Sequence, residues 1–452
     1  MIVVIGGGPA GRYAAMRLAG AGREVRLIER RREGLGGQCL HQGCMVICAL
    51  NDVARTMEHL EMLHRSGIIT SVPKIAYPAL ISRMQEIIKT ITQVIDEETR
   101  TAGVSVIQGD AQVEGRSVLI NAERLEPEAI IIATGTRPRR LHVPGEELPG
   151  VMTAHTIFSL PTLPSRLVII GGGVIAAEMA YLFSLFGSAV TILSRSTLLK
   201  EFPATLVKEA TKELHRVTVL EHTRVIRITG ETRVSGVEVH TSDGLRTLEA
   251  DAILIAAGTE PENSAIQGIP FGQDGFIKVN DRMETGIPGV YAVGDVTGSS
   301  HLTPVARWQG RAAADAILGL KPAFPLDTVP QAIKLRNDLA FCGVQDEGGM
   351  KVTIPSPAGP GSFWAIPDRA TGRASMTADP DSGRILGMLE ASPYASVIAA
   401  YHALLINTHA SIDQMERFIE VHPSADGTGW IGRYLAEKII ERNQNTIESI
   451  KN

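Results

Sequence analysis

Two cysteines near the start of the chain, Cys39 and Cys44, are the side chains best suited to do chemistry. They lie in Gly36-Gly37-Gln38-Cys39-Leu40-His41-Gln42-Gly43-Cys44, shortly after a glycine-rich turn at residues 6–11. Residues five apart in a straight helix have Cα atoms roughly 8 to 9 Å apart, whereas a disulfide needs less than about 7 Å. A bridged pair therefore requires a break in the helix, which the glycines of this segment would allow. A thiol pair beside such a turn suggests electron transfer between a flavin and a disulfide.

The composition excludes several classes of protein. The chain has 452 residues, with 44 basic against 49 acidic side chains, a net charge of -5, 4% aromatic residues and four cysteines. This balance argues against nucleic acid or an anionic membrane as the main partner, and four cysteines do not make a secreted disulfide scaffold. The N-terminus has no basic region or cleavage site of a signal peptide, and the apolar runs are strand-length. We therefore expect a reducing, cytoplasmic location and no membrane contact.

The glycine-rich turns must be positioned by strands and helices. Residues 2–5 form an apolar run, followed by helical periodicity over 10–21 and a second strand over 24–28. The same pattern recurs as a strand at 167–170, a helix at 174–186 and a strand at 189–193. A strand, turn, helix and strand in this order predict a parallel sheet. The chain thus contains a duplicated dinucleotide-binding unit.

The remaining elements divide the chain further. Long helices are expected at 44–66 and 77–101. Proline clusters mark two linkers, one with Pro138, Pro144 and Pro149 and one with Pro322, Pro325 and Pro330. After the second linker we expect an α+β domain with strands at 362–366 and 384–389 and helices at 395–408 and 412–420.

The first turn, Gly6-Gly7-Gly8-Pro9-Ala10-Gly11, fits the G-x-G-x-x-G fingerprint in its strand-to-helix context. Gly6 makes the turn, Gly8 lets the backbone approach a pyrophosphate, and Gly11 lets helix and strand pack closely. Glu29 ends the second strand, where a carboxylate binds ribose hydroxyls. A tight turn without a ligand is the alternative.

The second turn, Gly171-Gly172-Gly173-Val174-Ile175-Ala176, has alanine at the third position of the fingerprint. Ser194 stands where an NAD-specific site would place its carboxylate, and Arg195 and Lys200 follow it. These cations would hold a 2′-phosphate, so we favour NADPH, with NADH as the alternative. They would otherwise be solvated surface charges.

With these motifs in order, the sequence resembles the flavoprotein disulfide reductases, the group of dihydrolipoamide dehydrogenase, glutathione reductase and mercuric reductase. The shared motifs run from the first fingerprint and the cysteine pair through Ala133-Thr134-Gly135, the second fingerprint and Gly294-Asp295 to His422-Pro423. The resemblance implies an α/β fold with two Rossmann-like dinucleotide-binding domains and a C-terminal α+β dimerisation domain. The implied domains are an FAD-binding domain (1–141 and 274–325), an inserted NAD(P)-binding domain (142–273) and an interface domain (326–452).

The resemblance also implies which residues bind cofactors and which react. Asp295 would bond the FAD ribityl chain, and Thr303-Pro304 would be the N-cap and first residue of a helix that points its N-terminus at the flavin. The residues implied in binding FAD are Gly6, Gly8, Pro9, Ala10, Gly11, Glu29, Gly37, Gln38, Ala133, Thr134, Gly135, Gly294, Asp295 and Thr303; those implied for NAD(P) are Gly171, Gly173, Val174, Ile175, Ser194, Arg195, Lys200 and Gly258. No metal is implied.

The implied reaction is an FAD-dependent exchange of electrons between NAD(P)H and a small disulfide or dithiol, as in dihydrolipoamide dehydrogenase, with a role in cell redox homeostasis. Cys44 would accept electrons beside the flavin, its thiolate favoured by the start of the following helix. Cys39 would exchange with the substrate. His422, supplied by the partner subunit of a homodimer formed through the C-terminal domain, would be the acid–base.

The chain departs from the family pattern at two places. The usual Cys-x-Pro-Ser-Lys is here Cys44-Met45-Val46-Ile47-Cys48, so Glu178 loses the lysine with which it pairs in the family. We expect Cys48 to be a small buried hydrophobe, with a third redox thiol as the alternative. Gly427 stands where the family has the Glu that orients the His, and Asp426 would replace it only with a rearranged loop.

Other functions remain open on the sequence alone. Residues 191–202 are closer to mercuric reductase, but the chain ends Ser449-Ile450-Lys451-Asn452 without that enzyme's cysteine pair. A reductase of a metal ion, a redox-sensing flavoprotein with little turnover, and a zinc or iron–sulfur centre on Cys39, Cys44, Cys48 and Cys342 are the alternatives. The cysteine spacings are not the C-x-x-C pairs typical of zinc.

Overall fold

A computed structural model describes residues 1–321, 326–344 and 348–451. Its sheets confirm the α/β fold, with a parallel sheet behind each fingerprint and an antiparallel sheet in the C-terminal third. None of the described helices is both long enough and apolar enough to cross a membrane.

The first parallel sheet carries the first fingerprint. Its strand order is Val290–Ala292, Ala129–Ile132, Ile2–Ile5, Val25–Glu29 and Ser105–Gln108. The helix Pro9–Gly20 begins directly after the turn and packs against the helix Thr303–Ile317. The strands Ile2–Ile5 and Ala129–Ile132 are buried on both faces, which explains their unbroken apolar runs.

Two long helices, Cys44–Arg65 and Tyr77–Thr101, follow the cysteine segment as predicted. A smaller sheet lies beside the first parallel sheet and has the order Ile266–Gln267, Ala111–Glu114, Ser117–Ile120 and Glu123–Leu125.

The second parallel sheet repeats the arrangement. Its order is Val217–Leu220, Ala189–Leu193, Arg166–Ile170, Ala252–Ile255 and Val151–Thr153. The helix Val174–Phe186 matches its predicted bounds, and Ala204–Glu213 is a further helix. An antiparallel sheet packs beside it and consists of Arg224–Gly230, Val234–Thr241 and Gly244–Glu249. A separate two-stranded sheet forms where the chain passes between the two parallel sheets, and it pairs Thr136–Pro138 with Thr259–Pro261.

The C-terminal sheet has the order Gln331–Lys334, Asp338–Gly343, Ile385–Ser392, Arg373–Ala378 and Met350–Pro355. The helices Ala395–Asn407 and Gly427–Lys451 cover it. Of the linker prolines, Pro322 and Pro325 lie outside the described residues.

One predicted element of this region is wrong, and another is shorter than expected. The expected strand at 362–366 is a 3₁₀ turn, Phe363–Ala365, whose backbone bonds are local; Phe363 and Trp364 are both exposed, so no face of a strand is buried there. The expected helix at 412–420 is present but shorter, as the 3₁₀ helix Ile412–Arg417.

Candidate functional site

One cavity of about 2180 Å³ connects the two fingerprint turns with the cysteine pair. Of the residues predicted to act or to bind a cofactor, all except Gly11, His422 and Asp426 line it. The carboxyl ends of the two parallel sheets thus face a common space, which is where such sheets bind their ligands.

The first fingerprint turn has the predicted shape. Gly6 has a φ of +105°, and a Cβ there would collide with the carbonyl of Ala133. A Cβ on Gly11 would collide with the carbonyl of Gly6, so this glycine serves the close packing of helix on strand rather than lining the cavity. A Cβ on Gly8 would meet only the Cα of Gly37, at 3.8 Å. The bare Gly8 backbone therefore faces open space.

The carboxylate of Glu29 closes this turn. Its Oε2 accepts a hydrogen bond from the Gly7 N–H at 2.8 Å, and its Oε1 accepts one from the Arg31 N–H at 2.7 Å. Glu29 ends the strand Val25–Glu29, so the strand places the carboxylate at the cavity wall.

Polar groups farther along the cavity fit the rest of FAD. The hydroxyl of Thr134 is buried without a hydrogen-bond partner among the described residues, and it lies on the cavity wall. Asp295 is held by Thr136, whose Oγ1 donates to Asp295 Oδ2 at 3.5 Å, and burial raises the pKa of Asp295. An orphaned hydroxyl, a half-buried acid and an open glycine cradle are the groups that ribityl and pyrophosphate oxygens would satisfy.

The cysteines lie on either side of a helix break. Cys39 is in the short helix Gly37–His41, and Cys44 is the first residue of the helix Cys44–Arg65. Gly36 and Gly37 have φ angles of +116° and +59°, which favour glycine, and the helix resumes after Gly43. The break predicted from the spacing is confirmed, and both thiols are free in the structure.

The two thiols share a hydrogen bond, which separates their pKa values. The bond from Cys44 lowers the pKa of Cys39 to about 6, with smaller contributions from Thr303 and Arg307. The same bond, together with burial, raises the pKa of Cys44. We expected the helix start to favour the Cys44 thiolate; in this reduced pair Cys44 instead keeps its proton and donates to Cys39.

Thr303 touches the pair from across the chain. Its Oγ1 lies 3.6 Å from Cys44 Sγ. Thr303 is the first residue of its helix and Leu302 is the N-cap, so the predicted N-cap role of Thr303 is wrong. Because the hydroxyl contacts the thiols, it does not cap the helix.

The second fingerprint turn also leaves its backbone open. Gly171 has a φ of +147°, and nothing lies within 4 Å of a Cβ on Gly173. The side chain of Ser194 is buried against Gly172, whereas Arg195 and Lys200 are exposed on the cavity wall. Lys200 is paired with Glu201 at 3.2 Å.

Glu178 lacks the lysine with which it pairs in the family and accepts a hydrogen bond from a backbone N–H instead. It is buried in the helix Val174–Phe186, and its Oε1 accepts a hydrogen bond from the backbone N–H of Lys334 at 2.9 Å. Burial raises the pKa of Glu178 to about 7. The side chain of Lys334 is held elsewhere, by Asp338 at 2.5 Å and Ser396 at 2.7 Å. The carboxyl group is therefore partly protonated near neutral pH.

Cys48 is exposed on the cavity wall, one helical turn after Cys44. The prediction of a small buried hydrophobe is wrong, since the helix turns this position towards the cavity instead of the core. Within the described residues, no three His, Cys, Asp or Glu side chains form a group that would hold a metal ion.

Comparison with known proteins now identifies the family. The model of the pyridine nucleotide-disulphide oxidoreductases matches residues 1–310. The chain belongs to this family. Dihydrolipoyl dehydrogenase from Bacillus subtilis is 29% identical, over 94% of this chain and 96% of its own. The solved LpdA from Mycobacterium tuberculosis has a TM-score of 0.85 at 24% identity, over 96% of this chain and 99% of its own. The HOCl-induced flavoprotein disulfide reductase RclA from Escherichia coli has a TM-score of 0.82 at 25% identity, over 98% of both chains.

As a member of the pyridine nucleotide-disulphide oxidoreductases, the chain is an FAD-dependent enzyme that uses a nicotinamide nucleotide and exchanges electrons with disulfides. The cavity brings together the two cysteines and nearly all of the residues predicted to bind the cofactors. His422 is exposed outside it, in the loop before the last helix.

Asp426 has a different role from the one predicted. Its Oδ1 accepts from the Gly429 N–H at 3.0 Å and from the Thr428 hydroxyl at 2.8 Å, and its Oδ2 accepts from the Tyr401 hydroxyl at 2.6 Å. These are the bonds of an N-cap for the helix Gly427–Lys451. The bonds that the structure gives Asp426 do not include His422.

Sequence reasoning missed Arg307 and Lys334. Arg307 lies one helical turn after Thr303 and lowers the pKa of Cys39 by its charge. Helical spacing from Thr303 could have predicted that it lies near the thiols. The bond from Lys334 to Glu178 joins residues 156 positions apart and carries no local signal.

Proposed function

We propose that this enzyme reduces a small disulfide with electrons from a nicotinamide nucleotide, in the manner of a dihydrolipoamide dehydrogenase. The observation that carries the proposal is the Cys39–Cys44 pair, which lies at a helix break in the cavity shared by both fingerprint turns. A low thiol pKa at such a pair is the property that disulfide exchange needs.

The proposed chemistry divides between the two thiols. The Cys39 thiolate attacks one sulfur of the substrate disulfide; the substrate S–S bond breaks, and the released thiolate takes a proton from His422. Cys44 gives its proton to the now neutral His422 and attacks the mixed disulfide, which forms the Cys39–Cys44 bond; the second substrate sulfur leaves as a thiolate and takes that proton from His422. Bound FAD would supply the two-electron carrier between the nucleotide and this pair. Two electrons and two protons thus convert the substrate to a dithiol.

The direct test replaces each thiol separately with serine and uses lipoamide as the disulfide. Cys39→Ser and Cys44→Ser should each lower lipoamide reduction by at least about 100-fold, because a covalent exchange needs both sulfurs. NADPH oxidation with ferricyanide, which needs no thiol, should persist in both. Cys48→Ser is the matched control and should keep lipoamide reduction.

Two outcomes would count against this function. Lipoamide reduction that survives in Cys44→Ser would exclude the thiol pair as the reactive group. A wild-type enzyme that oxidises NADPH with ferricyanide but reduces no tested disulfide would favour the redox-sensing alternative.

We infer a preference for NADPH at the second fingerprint. The support is the absence of a carboxylate at Ser194, whose side chain is buried against Gly172, together with Arg195 and Lys200 on the cavity wall. Arg224, which lines the same cavity, adds a further cation. A 2′-phosphate would be bound by such cations, whereas a ribose hydroxyl needs an acceptor.

We also propose that the chain divides into an FAD-binding domain (1–141 and 274–325), an NAD(P)-binding domain (142–273) and an interface domain (326–452). Two copies of the chain would form a homodimer through the interface domain. The support is an apolar surface around His422, where Ile419 and Val421 are 87% and 84% exposed. A partner would cover this surface and receive His422 at its own cysteine pair. We keep a reducing, cytoplasmic location as part of this proposal, because four cysteines in a chain of this length do not make a secreted disulfide scaffold.

A further inference from the structure

A carboxylate lies in the middle of the C-terminal sheet, where apolar side chains are the rule. Glu390 belongs to the strand Ile385–Ser392, the central strand of that sheet, and its side chain is fully buried. Its neighbours in register on the two adjacent strands are Ala340 and Ala374. Two small neighbours leave room for the longer side chain to reach across the sheet.

The carboxylate points at the start of the last helix. Its Oε1 accepts a hydrogen bond from the Gly427 N–H at 3.4 Å, and the backbone of Thr428 also bonds to the group. Its Oε2 is buried and meets no donor at full hydrogen-bond geometry among the described residues, although the Ser392 hydroxyl on the same strand is near enough to lower the pKa of the carboxyl group. A buried carboxyl group depends on such partners, so the bonds to the start of the last helix are the main ones that hold Glu390 in place.

Position 427 cannot supply a carboxylate of its own. A Cβ on Gly427 would lie 2.6 Å from Ala374 Cβ and 3.1 Å from Pro357 Cδ. The sheet thus approaches the loop so closely that only glycine fits. The loop that carries His422 must then be held from the sheet side, and Glu390 is the group that reaches it.

We propose that Glu390 is a positioning residue, which holds the loop of residues 422–427 through the backbone of Gly427 and so sets the place of His422 in the partner's site. The inference rests on the proposed function, in which His422 is the acid–base. Glu390 touches neither substrate nor cofactor.

The titratable groups around Glu390 are Asp426 on the loop and Tyr401 and His402 on the helix Ala395–Asn407. Burial, and secondarily Asp426, raises the pKa of Glu390 to about 8. His402 is buried and donates from Nδ1 to the Ile398 carbonyl at 3.0 Å, and burial lowers its pKa to about 4, so it is neutral. Tyr401 donates to Asp426. A charged Glu390 would stand beside the Asp426 carboxylate, so Glu390 is mainly neutral near pH 7 and accepts from the Gly427 N–H through a carboxyl oxygen.

The test compares Glu390→Leu, Glu390→Gln and Met388→Ala, all in the dimeric, FAD-loaded enzyme. Met388 is a matched control because it is fully buried on the same strand, two residues before Glu390. Glu390→Leu should lower kcat for lipoamide about 10-fold, since small displacements of a catalytic group cost this much or more. Ferricyanide reduction should be unchanged, and Met388→Ala should change neither activity.

Glu390→Gln keeps the acceptor oxygen and loses the titration. It should retain kcat at pH 7 within about 3-fold, in line with an intact hydrogen bond. Each of three results would overturn the proposal: an unchanged kcat in Glu390→Leu, an equal loss in Met388→Ala, or no rescue by glutamine.

His422→Gln separates this inference from the proposed function. If His422→Gln leaves lipoamide reduction intact, then His422 is not the acid–base, and the function as proposed fails whatever Glu390 does. If His422→Gln abolishes it while Glu390→Leu does not, only the positioning role fails.

Discussion

A hydrogen bond joins Cys39 and Cys44, and it favours the thiolate on Cys39 over that on Cys44. The hydrogen bond from Cys44 is the largest influence that lowers the pKa of Cys39, to about 6. Thiolates are the nucleophiles, so Cys39 is ready to exchange with a disulfide near neutral pH. The helix start at Cys44 is outweighed by this bond and by burial.

The hydrogen bond between the two thiols predicts a pH profile of alkylation. In the reduced Cys48→Ser enzyme, the rate of Cys39 alkylation by iodoacetamide should rise with a midpoint near pH 6, because the thiolate forms there. Cys44→Ala in the same background should move the midpoint upwards by about 2 units, towards an ordinary thiol. The rate is measured by mass spectrometry of the modified peptide. Identical midpoints would show that Cys44 does not stabilise the thiolate.

The proposed preference for NADPH over NADH can be tested at Arg195. Arg195→Ala should lower kcat/KM for NADPH about 10-fold, as expected for the loss of a cation on a phosphate, and leave that for NADH within about 2-fold. Lys208→Ala is the control, since Lys208 is exposed in the same region of the chain but does not line the cavity. Equal losses with both nucleotides would place Arg195 outside the 2′-phosphate site.

The three fingerprint glycines between the first strand and the first helix have different structural roles. Gly6 holds a left-handed φ and Gly11 a helix contact, whereas Gly8 has ordinary backbone angles and faces the cavity. A substitution at Gly8 therefore tests cofactor binding without breaking the unit.

Gly8→Ala should fold and yet bind FAD poorly. The new methyl group meets only Gly37 Cα at 3.8 Å but occupies the space needed for backbone approach to the pyrophosphate. We expect the bound flavin, measured by absorbance at 450 nm, to fall at least about 5-fold while far-UV circular dichroism is unchanged. Gly20→Ala, at the end of the same helix with nothing within 4 Å, should keep its flavin. Full flavin content in Gly8→Ala would place the pyrophosphate elsewhere.

Three buried carboxyl groups make the free energy of unfolding of the whole protein depend on pH. Burial raises the pKa of Glu178 and Glu213 to about 7 and that of Glu390 to about 8. Between an unfolded pKa of about 4.3 and these values, the folded state binds more protons than the unfolded state. The stability they contribute is therefore full at low pH and is lost as the pH rises through 7 to 8.

Glu213 is the best residue at which to measure this effect. It ends the helix Ala204–Glu213 and accepts hydrogen bonds from the side-chain amide of Asn337 at 2.8 Å and from its backbone N–H at 3.1 Å. These bonds join that helix to the C-terminal sheet. The Tm of Glu213→Gln relative to wild type should be higher at pH 9 than at pH 6. Glu231→Gln, which removes an exposed charge, should show no such trend. A pH-independent difference for Glu213→Gln would contradict the linkage.

The proposed dimer predicts a change of mass. The double variant Ile419→Asp and Val421→Asp should halve the mass measured by light scattering, because it places charges in the apolar contact. Lipoamide reduction should fall and ferricyanide reduction persist, since only the first needs the partner's His422. Leu245→Asp, at a residue 73% exposed on another sheet, should remain dimeric. A monomeric wild-type enzyme would refute the dimer.

Local sequence patterns were enough to predict the two fingerprint units, the long helices and the break between the cysteines. Each is encoded locally, by glycines at fixed spacing, by apolar runs of strand length and by helical periodicity. The helix Val174–Phe186 and the strand Ala189–Leu193 matched their predicted bounds for this reason. Local rules failed at Phe363–Ala365, where two exposed aromatic residues resemble a strand in sequence alone.

The partner that each functional side chain contacts depends on how distant elements pack together. Cys44 contacts Thr303 across 259 positions, Glu178 takes its donor from Lys334, and Asp426 caps a helix instead of reaching His422. The place of Cys48 on the cavity wall was decided in the same way. Such choices depend on burial and on distances between elements far apart in the chain. A buried polar group takes whichever partner the packing brings within reach, and no local pattern encodes that partner.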